Sequence, residues 1–498
     1  MIKQLLFTLL FVITAQTIIG QDVSWGPRLE QSTRNRIERI VGEDQNGIYV
    51  FRLRSRLVGN SIPVVEHYSK SMILKYSTKL EELSKRNIYI DNFWHFNNRL
   101  FIYFTEYNSK QNKQVLYYQE VNKKSGQLLG KRERLTQVPT YGRNSIGHLE
   151  YAASTDSSTA VIYYSPYLET GLFQKKRNAT FQLQIVDENF KTIWNKSVKA
   201  PYKDELFDVE RVEVDKKGNA YILAKVYEKS RRSRKGGRVN YFYKILAYRN
   251  NGEELKEFDL TLDELFIADI TFKVNNKDQL ICAGFYSERR INSMKGSFLI
   301  TVDTKNGEII SKGVEPFSKE LLMQVTSKRR ARKGKELYRD YLDEIILRSD
   351  GGAVIIAEQF YVSTHSYTTG TGVNRTEQST STYHYEDIIV VNINPNATTA
   401  WAASIPKNQA ASTKSFSSYS HAIVKGRIHF IYNERISNRS PVMLASVDTK
   451  GKVDIKELFN NKTERVLTRP RLCRQTSKNE MMIYGERGKR YKFGKISF

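Results

Sequence analysis

Cysteine, histidine and proline are scarce in this chain, with two, seven and ten residues among 498. Two cysteines cannot form a disulfide framework, and their surroundings give no zinc-ligand pattern. An exported chain would permit a disulfide between Cys282 and Cys473. The repeat assignment below places the two residues three units apart, so we predict two free, buried thiols.

Motifs for catalysis and cofactor binding are also missing. The sequence has no Gly-x-Ser-x-Gly elbow, no glycine-rich phosphate loop and no His-Glu-x-x-His. Beyond the N-terminus, no apolar run approaches the roughly 18 residues that a membrane-spanning helix needs. We therefore assign no catalytic residue, cofactor or metal site, and we expect no transmembrane segment.

Basic and aromatic residues are abundant. The chain has 79 Lys and Arg against 53 Asp and Glu, a formal charge of +26, with 30 tyrosines and 24 phenylalanines. Aromatic side chains favour strands. The length exceeds one ordinary domain unless that domain is built of repeats.

Residues 1–20 predict a signal peptide. Lys3 supplies the charged region, residues 5–13 the apolar region, and Gly20 the small residue before a cleavage point at Gln21. The apolar run is short and interrupted, which argues against a membrane anchor, and no cysteine lies near for lipid attachment. We predict export to the periplasm, the cell envelope or the extracellular space, with residues 21–498 forming a single domain.

A turn followed by an alternating apolar strand recurs eight times, at intervals of 52 to 74 residues. Further short strands flank each copy, which makes four strands per repeat, labelled a to d from the centre outward. Residues 297–314 are typical of strands c and d, with Asn306-Gly307 in the turn. Eight such units predict an all-β, eight-bladed β-propeller of four-stranded antiparallel blades. Seven blades with an extra hairpin is the alternative. In the first blade, the pattern places strand c at residues 72–76.

The last repeat ends after its strand c, and the N-terminal segment supplies a candidate strand d. Trp194 and Trp401 lie early in strand d of blades 3 and 6, and Trp25 has the same kind of context. We predict that residues 22–30 pair with residues 491–498 and close the ring, which leaves no open sheet edge. A disordered N-terminal tail is the alternative.

Two basic segments fall on one predicted face of the propeller. The loops joining strands b and c emerge there together with the loops joining strand d to the next strand a. Residues 229–238 and 328–335 each hold six basic residues and no acidic one. The candidate residues for binding an anionic partner are Lys229, Arg231, Arg232, Arg234, Lys235, Arg238, Lys328, Arg329, Arg330, Arg332, Lys333 and Lys335.

Each basic segment alone is best explained as a solvated loop. Their common face favours an anionic envelope component, such as a glycan or lipid, or an acidic protein. No RNP-type aromatic motif or zinc-finger spacing accompanies them, which argues against nucleic acid. We expect the protein to be a monomer.

The longest b–c loop, residues 362–386, is rich in Thr, Ser and Tyr. Tyr367, Tyr383 and Tyr385 with His365 and His384 are candidates for a sugar-stacking or metal-binding patch. Two histidines without a third ligand do not make a metal site. We therefore predict an extended hairpin.

Part of the chain resembles a known group of proteins. Residues 350–361 read Asp-Gly-Gly-Ala-Val-Ile-Ile-Ala-Glu-Gln-Phe-Tyr, residues 385–393 read Tyr-Glu-Asp-Ile-Ile-Val-Val-Asn-Ile, and residues 400–407 read Ala-Trp-Ala-Ala-Ser-Ile-Pro-Lys. Together with Gly20-Gln21, this resembles uncharacterised secreted β-propeller proteins of Bacteroidota, over about residues 315–410. No catalytic residue follows from the resemblance.

The sequence favours a non-catalytic secreted or envelope scaffold whose basic face binds an anionic partner. The alternative is a secreted polysaccharide-acting enzyme with a site at the mouth of the central channel; a ring without any ligand is a third interpretation. Paired carboxylates or a Tyr/Arg/His cluster at that mouth would favour the enzyme. A channel of aliphatic and hydroxyl side chains would favour the scaffold.

Overall fold

Short antiparallel strands fill most of the chain and form eight four-stranded sheets, the blades of an eight-bladed β-propeller. The computed structural model describes residues 23–498 except 33, 58–59, 141–146, 167–176, 229, 231–233, 236–237, 289–292, 326–336, 339 and 370–375. The predicted signal peptide, residues 1–20, lies outside the described part.

The strands of the first four blades follow one another in the order a to d. Blade 1 consists of Asn35–Asp44, Gly47–Arg54, Ile62–Tyr68 and Leu74–Lys79. Blade 2 consists of Ile88–Phe96, Arg99–Asn108, Lys113–Val121 and Leu128–Pro139. Blade 3 consists of His148–Ala153, Thr159–Ser165, Asn178–Asp187 and Thr192–Lys203. Blade 4 consists of Phe207–Val214, Ala220–Tyr227, Tyr241–Arg249 and Glu254–Leu260.

The same order holds in the second half of the ring. Blade 5 consists of Phe266–Val274, Gln279–Ser287, Gly296–Asp303 and Ile309–Pro316. Blade 6 consists of Asp340–Leu347, Ala353–Thr369, Thr376–Ile393 and Thr399–Ile405. Blade 7 consists of Tyr419–Val424, Arg427–Asn433, Pro441–Val447 and Val453–Asn460. Blade 8 has a divided strand a, Leu467–Thr468 and Arg474–Ser477, then Glu480–Arg487, Arg490–Ser497 and the N-terminal strands Val23–Trp25 and Leu29–Glu30.

Helices and additional strands occupy the connections. Within the described residues, the α-helices are Lys319–Val325 and Asn461–Glu464. Single 3₁₀ turns occur at Glu81–Leu83, Asp204–Leu206 and Pro470–Leu472. The additional strands are Arg234–Lys235 paired with Arg238–Val239, Ser293–Met294 paired with Leu337–Tyr338, and Gln409–Ala411 added to strand c of blade 6.

The hydrophobic core is divided among the blade interfaces. Eight clusters of buried residues occur in the described chain, and each is formed between two neighbouring blades. Both faces of every sheet are therefore covered, which explains the nearly continuous apolar strands b and c. Cys282 lies in the interface of blades 4 and 5, and Cys473 in that of blades 7 and 8. Both thiols are free and buried, as predicted.

The N-terminal strand closes the ring, as predicted. Val23 pairs with Ile496 and Trp25 with Gly494, while Leu29–Glu30 pairs with Arg490 and Tyr491. The interface of blades 1 and 8 has its own hydrophobic cluster, including Tyr68 and Phe493. The first and last blades are therefore packed together like any other neighbouring pair.

A glycine in the turn between strands c and d lets the preceding blade pack closely. Gly307, at φ +82°, lies so near Phe258 of blade 4 that a Cβ atom would be 2.9 Å from the ring. Gly451 lies under Trp401 in the same way, with a Cβ position 2.8 Å from the indole. The positive φ makes the turn, and the missing side chain makes room for an aromatic residue of strand d.

Strand c of blade 1 differs from the prediction at residues 72–76. The structure places strand c at Ile62–Tyr68, whereas Met72 lies in the following turn with φ +62°. Met72 donates its backbone N–H to the carbonyl of Ser69. The prediction was wrong because Pro63 weakens the strand signal upstream, while buried Met72 and the residues after it imitate an apolar strand.

Candidate binding face and central channel

The b–c and d–a connections emerge on one face of the ring, which we call the loop face. Both basic segments are attached to it through well-packed strands. The first begins after Tyr227, at the end of strand b of blade 4, and ends before Tyr241, where strand c starts. The second lies between blades 5 and 6, so both segments are attached within three neighbouring blades of the ring.

The first basic segment contains a short hairpin. The backbone of Arg234 pairs with Val239 and that of Lys235 with Arg238. Lys229, Arg231 and Arg232 lie outside the described residues.

The second basic segment is held at both of its ends. Helix Lys319–Val325 buries Leu321 and Leu322 in the interface of blades 5 and 6. Leu337, beyond the basic residues, is buried and pairs with Met294 of the b–c loop of blade 5. The six basic residues between these anchors lie outside the described part of the chain, namely Lys328, Arg329, Arg330, Arg332, Lys333 and Lys335.

Further basic residues on the loop face are described. Arg435 and Arg439 in the b–c loop of blade 7, and Arg487 and Lys489 at the b–c turn of blade 8, are exposed. Among the described residues none of these four forms an ion pair, whereas nearby Arg490 pairs with Glu30. The loop face of blades 7 and 8 therefore carries uncompensated positive charge.

The opposite face also carries lysines, but aspartates of the a–b and c–d turns accompany them. Lys217, for example, has its Nζ 2.6 Å from Oδ2 of Asp278. The turn aspartates accept backbone N–H groups, as Asp303 does from Lys305 at 2.7 Å, which keeps them in the turns. Charge on this face is therefore more nearly balanced.

The long loop of blade 6 is an extended hairpin, as expected. Its arms pair from Phe360 with Tyr385 out to Thr369 with Thr376. The ring of His384 stacks on Tyr361 at 4.4 Å, and its Nε2 lies 2.8 Å from the Ser363 hydroxyl. These contacts occupy His384 without a metal. No group of three possible metal-ligating side chains occurs among the described residues.

A cavity of about 880 Å³ lies on the loop face between blades 6 and 7. Its lining includes Lys407, Asp387, Glu434 and Arg435, so both charge signs are present. Buried Lys407 is paired with buried Glu358, with Nζ 2.8 Å from Oε1. Lys407 is thus compensated, and the remaining cation, Arg435, shares the lining with Asp387 and Glu434, so the cavity does not present a purely cationic surface.

The central channel is lined by the eight strands a, and, apart from the divided strand a of blade 8, five of them carry a bulge at their third or fourth residue. A bulge places two residues opposite one on the neighbouring strand and redirects a side chain. Four of the five bulged residues are acidic. The bulged residues are Glu38, Asp91, Glu210, Ala268 and Asp343.

Carboxylates cluster on the wall formed by blades 4 to 6. Burial raises the pKa of Glu210, of Asp269 and, to about 7, of Glu213. Asp343 is exposed to solvent, but the surrounding protein partly desolvates its carboxyl group and raises its pKa to about 6. The Tyr419 hydroxyl donates a hydrogen bond to Asp343 at 2.7 Å. This wall is a set of carboxylates whose pKa values are all raised by burial.

Arginines gather on the wall formed by blades 8 and 1. In a ring of eight, these blades face blades 4 and 5 across the channel. Arg471 and Arg474 come from blade 8 and Arg39 from blade 1, and they line one cavity of about 510 Å³. The channel is thus charged on both sides. It is not the aliphatic and hydroxyl lining that would have favoured the non-catalytic scaffold over the enzyme. Its residues come from separate blades, so no local sequence motif indicates it.

Comparison with known proteins adds little to this description. No protein-family model matches the chain, and no curated protein sequence matches it. No helix of the described residues is long and apolar enough to cross a membrane.

Several solved structures are similar at low identity. A prolyl endopeptidase shares 10% identity at a TM-score of 0.42, over 92% of this chain and 55% of its own. The WD40 domain of SCAP from fission yeast shares 8% identity at a TM-score of 0.40, over 95% and 98%. The Synechocystis apocarotenoid oxygenase shares 10% identity at a TM-score of 0.34, over 73% and 72%. This chain thus spans about half of the endopeptidase, and the fold assignment rests on the eight sheets.

Proposed function

We propose that the protein is a non-catalytic interaction or scaffold module, exported to the envelope or beyond, whose loop face binds an anionic partner. The observation that supports this most is the attachment of both basic segments to one face of the ring within three neighbouring blades. Two charge runs on separate faces would act independently, whereas runs on one face add their fields at one partner.

The described residues extend the same surface. Arg435, Arg439, Arg487 and Lys489 add exposed charge on blades 7 and 8 without acidic neighbours in contact. The partner expected from this chemistry is an anionic glycan, an anionic lipid surface or an acidic protein. Binding by exposed charges weakens as salt rises, because the Debye length falls to about 8 Å at physiological ionic strength.

Charge reversal tests the proposal. The variant changes Arg231, Arg232, Arg234 and Lys235 to Glu, and the probe is retention on heparin–agarose along a salt gradient. We expect elution at distinctly lower salt than for the wild type. Co-sedimentation with vesicles containing anionic lipid, compared between the two proteins, separates a glycan partner from a lipid one.

A matched control carries the same change of net charge on the opposite face. It replaces four exposed turn lysines by Glu: Lys277, Lys305, Lys450 and Lys452. The proposal expects this control to elute close to the wild type. Equal losses in both variants would show that net charge alone governs retention, and that outcome would reject a specific loop face.

The carboxylate wall of the channel favours a second candidate, a polysaccharide-acting enzyme. Carboxyl groups with raised pKa values are typical of general acids, and Asp343 with Asp269 provides two of them on adjoining blades. The test is hydrolysis of acidic and neutral polysaccharides by the wild type and by Asp343→Asn. Release of reducing ends that the variant abolishes would establish the enzyme in place of the non-catalytic module.

A further inference from the structure

Three arginines line one cavity of the channel, and two of them, Arg39 and Arg474, lack an acidic partner, whereas the Arg471 guanidinium lies over the Tyr385 ring and acts on Asp343. The cavity is formed by the inner segments of blades 1, 2, 3 and 8, and Arg39, Arg471 and Arg474 lie in its lining. Among the described residues, none of the three forms an ion pair. Glu38 is the acidic residue of the lining, and it makes no salt bridge to them within the described chain.

Neutral acceptors hold two of the guanidinium groups in place. Nη1 of Arg39 donates to Oδ1 of Asn92 at 2.8 Å, to the carbonyl of Phe93 at 3.2 Å and to the hydroxyl of Tyr151 at 2.6 Å. Nη1 of Arg474 donates to the carbonyl of Val41 at 2.8 Å. These bonds fix the positions of the groups but leave their charges uncompensated.

The two fixed cations repel each other. Burial and the nearby Arg39 guanidinium lower the pKa of Arg474. An unpaired cation held in a partly desolvated site raises the free energy of the empty protein. A bound anion would remove both penalties, and a guanidinium group matches carboxylate and phosphoryl oxygens in shape.

An aromatic surface borders the same cavity. Trp94 and Tyr151 are both partly exposed in its lining, and their ring centroids lie 4.4 Å apart. Tyr151 also accepts the bond from Arg39, so the flat apolar surface and the cationic group are held at a fixed separation. Apolar walls with a few fixed polar groups are typical of small-molecule sites.

We propose that this cavity binds a small organic anion, whose carboxylate or phosphoryl group meets Arg39 and Arg474 while its planar apolar part lies against Trp94. The site is separate from the loop face. It takes a small molecule inside the channel, whereas the loop face takes a large partner outside it.

Calorimetric titration with simple probes tests the site. The probes are phenyl phosphate and benzoate, which combine a ring with each type of anion, inorganic phosphate, which lacks the ring, and phenol, which lacks the charge. We expect the better of the two aromatic anions to bind at least tenfold more tightly than inorganic phosphate, and phenol not to bind. The preference between phenyl phosphate and benzoate identifies the anionic group.

Substitutions assign the roles of the residues. Arg39→Gln and Arg474→Gln are each expected to weaken binding of the aromatic anion at least tenfold, and Arg39→Lys, which keeps the charge, to weaken it less. Trp94→Leu should weaken the aromatic anions but leave inorganic phosphate unchanged. Arg427→Gln, at an exposed arginine on the other face, is the matched control and should bind like the wild type.

Two results would overturn the proposal. One is the absence of binding by every probe at 10 mM in low salt. The other is equal binding by the wild type and the two glutamine variants, provided that thermal melting shows both variants folded. The quadruple charge reversal of the loop face should leave phenyl phosphate binding unchanged, so failure of one proposal does not decide the other.

Discussion

Replacing Arg52 by methionine tests the polar network that joins the first and last blades. Arg52 is fully buried, and its Nε lies 2.5 Å from Oε2 of Glu66. Its Nη1 donates to Oε1 of Gln31 at 2.7 Å, just beyond the N-terminal strand. The guanidinium carbon lies 4.4 Å from the ring centroid of Tyr491 in blade 8. One side chain thus contacts all three parts of the closure.

The expected loss follows from the charge left behind. Without Arg52, buried Glu66 keeps only hydroxyl donors, Tyr68 at 2.5 Å and Ser77 at 3.3 Å. Removing one partner of a buried ion pair costs about 3–5 kcal/mol. With an unfolding entropy of about 2.1 cal/mol/K per residue, a cooperative domain of roughly 480 residues has about 1 kcal/mol/K. The melting temperature should therefore fall by about 3–5 °C.

A double-mutant cycle in urea distinguishes a charge effect from a volume effect. Glu66→Leu alone leaves Arg52 buried without its counter-ion and should cost a similar amount. The double variant has no buried charge without a counter-ion. Its free energy of unfolding should therefore fall by only about 1–2 kcal/mol, for the hydroxyl and amide groups that lose their hydrogen-bond partners. If instead the double variant loses the sum of the single losses, the two charges do not compensate each other and the reasoning is refuted.

Three further predictions concern the ring, the channel and the turns. Deleting residues 23–31 should lower the melting temperature of the whole domain in one transition, and an unchanged melting curve would show that this strand does not close the ring. Burial raises the pKa of Asp91 in the folded protein to about 7, above its value in the unfolded chain. Asp91 therefore destabilises the fold least below about pH 4, where it is protonated in both states, and most above about pH 7, where it must be ionised in the folded state. Asp91→Asn should therefore gain stability relative to the wild type between pH 5 and 8, by at most about 4 kcal/mol, and parallel stability curves would contradict this. Gly307→Ala should lower the free energy of unfolding in urea more than Gly130→Ala does, because both glycines have positive φ but only a Cβ at 307 would contact Phe258. Equal decreases would show that backbone strain alone accounts for the effect.

The repeat could be found in the sequence because its signals are local. The turn at Gly307 requires a positive φ, which a short Asn-Gly motif indicates in the sequence. The apolar strand after each turn is buried on both faces. Closure was also predictable, because strand d was missing at one end of the chain and Trp25 stood in the matching context at the other. The strand of blade 1 that contains Pro63 was misplaced for the opposite reason, since its pairing depends on neighbours rather than on its own composition.

The basic face was partly predictable, whereas the channel was not. A run of basic residues such as 229–238 can be recognised directly in the sequence, and the order of the strands is sufficient to assign it to a face. Arg39 and Arg474 are separated by most of the chain and lie in strands of ordinary composition. Only ring closure makes blades 8 and 1 neighbours, so their meeting is a property of the tertiary structure.

The amino-acid sequence by itself determined the eight repeats, the strand order within them and the role of residues 22–30 as the closing segment, since turn chemistry and alternation act over a few residues. The tertiary structure decided which charges are compensated. Glu66 and Arg52 neutralise each other in the seam, whereas Arg39 and Arg474 face each other without a counter-ion. The physical reason is that charge compensation depends on distances between residues far apart in sequence, and those distances exist only once the ring has closed.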